Sequence, residues 1–558
     1  MDRMSLRIAS VAVLAFITSP LFAAEPLLPA DRDAVRQQQE QLLLQTQQQR
    51  DELERSIVLP RSGPAAPQAQ PAGPCFEIQT IVLDGATLIS SREQQRLISP
   101  WLNRCLNLAQ ITAITESVSD WYISRGYITS RAFLTEQDLS RGELRLAVLE
   151  GKLRDIRLDG GSPRLLKMAF PGLKGNILNL RDIEQGMEQI NRVRTQPVQI
   201  EILPDEQPGY SVVNLTATPE FPLSASVTLD NSGQKSTGEN QLSGVLSGNN
   251  LLGLADKTFL SGGRSSDFAT RYDAQTFQTG LSVPYGYGLL DYSYSWSNYR
   301  ATVPQMGFDW ISTGDSKTHR LSGTWVAYRN GDLKTAFTAG ITQRSSRNWL
   351  NDVKLGTSSR NLSSMMVGIN HTQKILGGVA TFNPAFSRGM PWFNAETDAG
   401  KTAEQPRAQF RKWSLSASYQ RPLSADAMWL TSLYGQWSPD RLHGSERLSL
   451  GGESSVRGFK EQYISGDIGG YWRNEINYSL FQLPVVGQVS AVVALDGGWL
   501  RKDPFDQYSS GTLWGGAVGL SSNGRWAASQ LTVGTPLQYP DWLGPDHVSV
   551  NWRISMMF

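Results

Sequence analysis

From about residue 221 to its final Phe558 the chain alternates large apolar and small polar residues, and this pattern limits the fold more than any other feature. In 290–297, Leu290, Tyr292, Tyr294 and Trp296 alternate with Asp291, Ser293, Ser295 and Ser297. In 413–420, Trp413, Leu415, Ala417 and Tyr419 alternate with Ser414, Ser416, Ser418 and Gln420. Successive side chains of a strand point to opposite faces, so the pattern describes a sheet with one apolar and one wet face. A soluble sandwich alternates as well. Three features favour lipid as the apolar partner. Aromatic residues gather towards strand ends, as an interfacial girdle requires. The polar face persists along the whole segment. The chain also ends on a strand, with Val548, Val550, Trp552, Ile554, Met556 and Phe558 on one face and Ser549, Asn551, Arg553 and Ser555 on the other. Only a closed barrel lets strands satisfy every backbone group in a bilayer. Roughly 340 residues at about ten per strand leave room for about 16 antiparallel strands. The short Asn330-Gly331-Asp332 segment fits a tight turn, and the polar stretches 301–318 and 391–410 fit surface loops.

Composition agrees. Mean hydropathy is -0.31, and beyond residue 24 there is no apolar run of the ~18 residues that a spanning helix needs. Residues 1–24 form a secretory signal, with Arg3 and Arg7 as the basic region, Ile8 to Ile17 as the apolar stretch and Phe22-Ala23-Ala24 as the cleavage site. An exported chain makes a structural disulfide the natural reading of its two cysteines, Cys75 and Cys105. The four histidines are scattered and form no metal-ligand spacing with them, so no metal or cofactor is expected. No histidine sits in a catalytic motif and no enzyme is implied. A net charge of +1 carries no nucleic-acid footprint.

Ahead of the barrel, 25–55 is a Gln-, Glu- and Arg-rich helical segment without a face wide enough for a core. It reads as a solvated helix or as a polar helix lodged in a water-filled lumen. Residues 56–74 are a Pro/Ala/Gly linker. Two similar α/β units follow, at 75–150 and 151–220. Residues 78–85 (IQTIVLDG) align with 153–160 (LRDIRLDG), each an alternating strand closed by Asp-Gly. Helices are expected at 91–103 and 109–125, then at 163–172 and 181–194. Closing strands are expected at 127–135 and 143–149, then at 197–203 and 210–217. A Cys75–Cys105 bridge would pin the first strand to the helical layer.

The run 451–459, which contains Val456, Arg457, Gly458 and Phe459, resembles the VRGY/F loop motif of the Omp85 superfamily. Ala494-Leu495-Asp496-Gly497-Gly498 resembles its companion strand motif. Residues 127–134 (YITSRAFL) with 142–146 (GELRL) look like the second half of a POTRA domain. Together with the order of segments, these motifs resemble the ShlB/FhaC/HecB family of two-partner secretion (TpsB) transporters. The fold so implied is α+β periplasmic POTRA domains followed by an all-β transmembrane barrel of about 16 antiparallel strands. The resemblance pairs Arg457 of the loop with Asp496 of the wall. Strand parity agrees, because Asp496 shares the inward face with Ser490, Ala494 and Gly498, opposite Val489, Val493, Leu495 and Trp499. Terminal Phe558, with Trp552, resembles the insertion signal read by the barrel-assembly machinery. The implied partners are outer-membrane lipids and an unfolded secreted exoprotein (TpsA) with an N-terminal secretion domain. That exoprotein would be a haemolysin, an adhesin or a contact-dependent inhibition toxin. The alternatives are an insertase of the same superfamily and a passive porin, which would need no POTRA units.

Overall fold

The computed structural model describes residues 27–55, 74–265, 272–305, 308–504, 506 and 510–558. The signal segment 1–24 and linker residues 56–73 lie outside the described residues. One long helix, α1 (Pro29–Glu54), comes first and ends before the linker.

The first α/β unit contains β1 (Cys75–Ile78), β2 (Thr80–Asp84), α2 (Ser91–Ile98), β3 (Arg104–Asn107), α3 (Leu108–Ser124), β4 (Arg131–Leu134) and β5 (Glu143–Leu149). α3 opens with a reciprocal cap: the Gln110 amide donates to Asn107 Oδ1 at 2.9 Å, and the Asn107 amide donates to Gln110 Oε1 at 3.0 Å. Such a cap is worth ~1 kcal/mol. α3 then buries Ile111, Ile114, Val118 and Tyr122 against Ile78, Leu106, Leu144 and Leu146. Each fully buried aliphatic side chain contributes roughly 1.5–3 kcal/mol.

The second unit contains β6 (Lys152–Leu158), α4 (Pro163–Ala169), α5 (Leu180–Asn191), β7 (Gln199–Pro204) and β8 (Tyr210–Thr216). Both units have the same topology. The opening strand runs parallel to the last, β2 with β5 and β6 with β8, while β4 and β7 flank it antiparallel.

Four details differ from the sequence expectation. The strand at 78–85 breaks at Gln79, because the amides of Gln79 and Thr80 both donate to the Gly142 carbonyl (2.8 and 3.1 Å). β1 therefore leaves the main sheet and pairs with β3. The helix expected to reach 103 stops at Ile98, since Pro100 has no amide to continue it, and 104–107 becomes strand. Cys75 and Cys105 are joined in a disulfide with Cα atoms 5.3 Å apart, but both lie on strands. The bridge thus joins strand to strand, not strand to helical layer. In addition, 127–130 is a turn, so the strand expected from 127 begins at Arg131.

Beyond residue 222 sixteen antiparallel strands close into a barrel, from Leu223–Asp230 to Ser549–Met557. Closure is by the last strand on the first, in register Arg553↔Asp230 to Met557↔Ser226. Phe558 extends the seam: its amide donates to the Ala225 carbonyl at 2.8 Å and its carbonyl accepts from the Ala225 amide at 3.0 Å. Trp552 lies at the same seam, its amide donating to Asn231 Oδ1 at 2.8 Å. The outward side chains of this strand, Val550, Ile554, Met556 and Phe558, are exposed, whereas Ser549 is buried. The described residues of 301–318 are not loop. Residues 301–305 and 308–318 belong to the arms of a long hairpin, paired continuously from Gly288↔Trp325 to Gln305↔Phe308. Past the lipid both faces of such a hairpin meet water, so strand structure there no longer requires apolar alternation.

Candidate functional site: a loop and a helix inside the barrel

The barrel wall encloses two inserts. One is the loop between the strands Ala427–Trp437 and Gly469–Leu483, which carries the motif residues. It folds inwards as a small hairpin, Leu448–Leu450 paired with Ile464–Gly466, and its tip reaches the wall. Val456 and Phe459 are fully buried in a lumenal cluster with Leu448, Leu450, Tyr471 and Leu513. This apolar anchor holds the tip so that Arg457 meets Asp496.

The contact is bidentate. Arg457 Nε donates to Asp496 Oδ2 at 2.6 Å and Nη2 to Oδ1 at 2.8 Å, while the Arg457 amide also donates to Oδ2 at 3.0 Å. The Asn474 amide adds a fourth donor to Asp496 at 3.2 Å. Arg457 Nη1 donates to Glu475 Oε2 at 2.7 Å. Asp496 is fully buried and Arg457 nearly so. A buried charge persists only when it is paired and its remaining hydrogen-bonding capacity is used, and both conditions hold here. Backbone packs directly on backbone at the tip. Gly458 adopts φ +100°, and a Cβ there would lie 2.4 Å from the Thr535 carbonyl oxygen. A Cβ on Gly515 of the wall would lie 1.8 Å from the Arg457 carbonyl oxygen. Neither position admits a side chain without displacing the loop.

The second insert is α1. Its 26 residues measure roughly 39 Å at 1.5 Å per residue, enough to run the height of the barrel. At its start, the Pro29 carbonyl accepts from Gln234 Nε2 at 3.1 Å and Arg32 pairs with Glu461 at 3.0 Å. Midway, Gln39 Nε2 donates to the Ser449 carbonyl at 2.8 Å and Gln39 Oε1 accepts from Ser454 at 2.9 Å, so helix and loop hold one another. Arg50 donates to Ser418 and Gln420 of the wall, and Glu52 pairs with Lys334 at 2.8 Å. Lys334 also binds Glu188 of α5 at 2.5 Å, and Arg329 joins Glu188 at 3.1 Å. Gln185 and Gln189 of α5 donate to the carbonyl of Gly286, in the short turn 286–287. The second α/β unit therefore sits against the short-turn end of the barrel. Between it, α1 and the wall lies a cavity of about 790 Å³.

The loop motif, Asp496 and the two cysteines were all named from sequence, and the structure brings the first two together as described. Glu475 was missed, although parity marks it: Arg473, Glu475 and Asn477 alternate with outward Trp472, Ile476 and Tyr478. Gly515 carried no signal beyond being one of 51 glycines.

Glu150, the last residue of the first α/β unit, is held by that unit's own loop and helix. It accepts from the amides of Thr87 (2.8 Å) and Leu88 (2.9 Å), from the Thr87 hydroxyl and from Tyr122 Oη (2.7 Å). Burial pushes its pKa up, but the hydrogen bonds from Thr87, Tyr122 and Leu88 outweigh this and hold it below the usual carboxylate range. With the folded pKa depressed, the stabilisation is full above the ordinary value of ~4.3 and is lost as pH falls through the folded value. Glu150→Gln is therefore expected to speed hydrogen exchange at the Thr87 and Leu88 amides at neutral pH. The difference from the parent should vanish in acid; a pH-independent difference would contradict the assignment.

A sixteen-strand barrel with α/β units at its short-turn end and an inward loop locked to its wall defines a class, the outer-membrane transporters that carry POTRA domains. Residues 209–522 match the family model "Haemolysin secretion/activation protein ShlB/FhaC/HecB". Residues 76–151 match the ShlB-type POTRA model and 152–204 a further POTRA model. The chain is 60% identical to an outer membrane transporter CdiB of Escherichia coli over 537 residues, 96% of this chain and 91% of that protein. It is 52% identical to the CdiB of Dickeya dadantii, covering 97% of each. The solved structure of CdiB from Escherichia coli superposes with a TM-score of 0.94 at 59% identity, covering 96% of this chain and all of that one. The chain belongs to the ShlB/FhaC/HecB family. It is a TpsB-type transporter of the outer membrane, with its POTRA domains in the periplasm as in this family. The insertase and porin readings are not favoured.

Proposed function

We propose that the chain exports one large exoprotein of the TpsA class, captured unfolded by the POTRA units through an N-terminal secretion domain and passed through the lumen once α1 has left it. The single observation that carries this reading is a lumen filled by two inserts, of which α1 is held through polar contacts that can exchange with water or with a passing chain. Edge strand β7 of the second unit can accept an extended segment along its outer side, a mode of capture that does not demand one cargo sequence. Lys334 joins Glu52 of α1 to Glu188 of α5, so cargo that shifts α5 also loosens the helix. Likeness to transporters named CdiB favours a contact-dependent inhibition toxin over a haemolysin or adhesin as cargo. Catalysis has no part in the scheme. Phe558 and Trp552 serve the chain's own insertion by the barrel-assembly machinery. The test is co-expression with the candidate exoprotein. Surface exposure and release of that protein are expected to disappear when the transporter gene is deleted and to return on complementation. Undiminished export in the deletion strain would end the proposal.

A further inference from the structure

The outward face of the barrel carries a depression that the export mechanism does not use. It is a groove of about 760 Å³ on the lipid side. It follows one register row, from Leu415 through Gly435 and Gly470 to Trp499. Trp413 and Trp437 wall it on one side, their rings 4.9 Å apart, with the Phe386 ring tilted against Trp413 at 4.8 Å. A Cβ built on Gly435 would meet no atom within 4 Å, so the floor there is open space and not a packing contact.

The groove crosses the wall: Phe337 lies near the periplasmic start of the strand Leu333–Leu350, whereas Trp413, Trp437 and Trp499 lie at the extracellular ends of theirs. The strands that bear it rise from the short turns 376–377 and 484–486, and the second α/β unit marks the short-turn end as periplasmic. Above the aromatic residues the same outward face turns cationic. Arg388 stands in register with Arg411, two residues beyond Phe386, and Arg501 follows two residues after Trp499. Arg411 is engaged by Asp440 at 3.0 Å. Arg388 and Arg501 are exposed and make no side-chain hydrogen bond or ion pair among the described residues.

An apolar slot crowned by unpaired guanidinium groups at the outer interface has the chemistry to receive a lipid bearing both acyl chains and phosphate. Arginine is suited to phosphate through its paired donors, and tryptophan to the headgroup boundary. The outer leaflet of an outer membrane is built of phosphorylated, acylated glycolipid, whereas phospholipid lies on the periplasmic side. We propose that this groove is a binding site for one acyl chain of an outer-leaflet lipid A glycolipid, with its phosphates held by Arg388 and Arg501.

The full chain, purified in mild detergent, is titrated separately with lipopolysaccharide and with phosphatidylglycerol, and bound lipid is read by native mass spectrometry. Lipopolysaccharide is expected to bind more tightly. Gly435→Leu projects into the slot from a position where a Cβ meets no atom within 4 Å, and the Arg388→Gln/Arg501→Gln variant removes the charge. Each should weaken lipopolysaccharide binding by roughly tenfold or more. Val518→Leu, elsewhere on the lipid face, should change nothing. Heat-modifiable migration on gels establishes that each variant barrel is closed. Unchanged lipopolysaccharide affinity in either groove variant, or equal affinity for the two lipids, would overturn the proposal.

Discussion

Arg457→Asp is expected to abolish export while leaving a closed barrel in the membrane. The substitution places a carboxylate beside Asp496 and Glu475, where a bidentate ion pair and a third contact stood at 2.6–2.8 Å. Losing one partner of a buried pair costs about 3–5 kcal/mol, because the charge left behind is stranded. The wall does not share this cost. Its strands are held by their own ladders, and Val456 and Phe459 still anchor the loop in the lumenal cluster. Adding Asp496→Arg should restore export only in part. The guanidinium placed on the wall can meet both the new loop carboxylate and Glu475. The amides of residue 457 and Asn474, however, lose the carboxylate that accepts them. Cargo at the cell surface, measured at matched barrel levels, checks both results. Wild-type export by the single variant, or no recovery at all in the double, would count against the pairing.

Deleting residues 27–55 is expected to raise single-channel conductance in planar bilayers by at least about twofold, since a helix with its side chains is ~10–12 Å across and occupies much of a pore this size. The contacts that hold α1 are hydrogen bonds and ion pairs to lumen-facing residues such as Ser418, Gln420 and Lys334. Each is worth only ~1 kcal/mol net, because water can replace the helix. The deletion therefore opens the lumen without unfolding the wall. Unchanged conductance would mean that the loop, and not the helix, sets the resting pore.

What could be read in advance follows from what leaves a periodic trace. Lipid on one face and water on the other write themselves into Leu290 to Ser297 and into the terminal strand, so the barrel and its approximate strand number were legible. Parity placed Asp496 in the lumen, and family resemblance supplied Arg457. Where both faces meet water, as in the hairpin through 301–318, the trace disappears and strand reads as loop. The lumenal hairpin was hidden for a related reason. Its two strands, Leu448–Leu450 and Ile464–Gly466, have three residues each, too short for a period. Gly515 matters for the side chain it lacks, which no pattern of apolar residues records. For α1 the sequence left two readings open, because Gln39 and Arg50 are equally suited to solvent and to a polar lumen. Only the contacts to Ser449 and Ser418 separate them.

The central claim is that cargo crosses the lumen only after α1 has left it, and a reversible lock tests this most directly. A Cβ built on Gly444 would lie 3.2 Å from Asp31 Cγ, close to the separation a disulfide needs across that gap. In the Asp31→Cys/Gly444→Cys chain, oxidation should tether the helix inside the barrel and stop export. Reductant should restore export to the level of the parent chain under the same reductant. Full export by quantitatively cross-linked transporter would contradict the account.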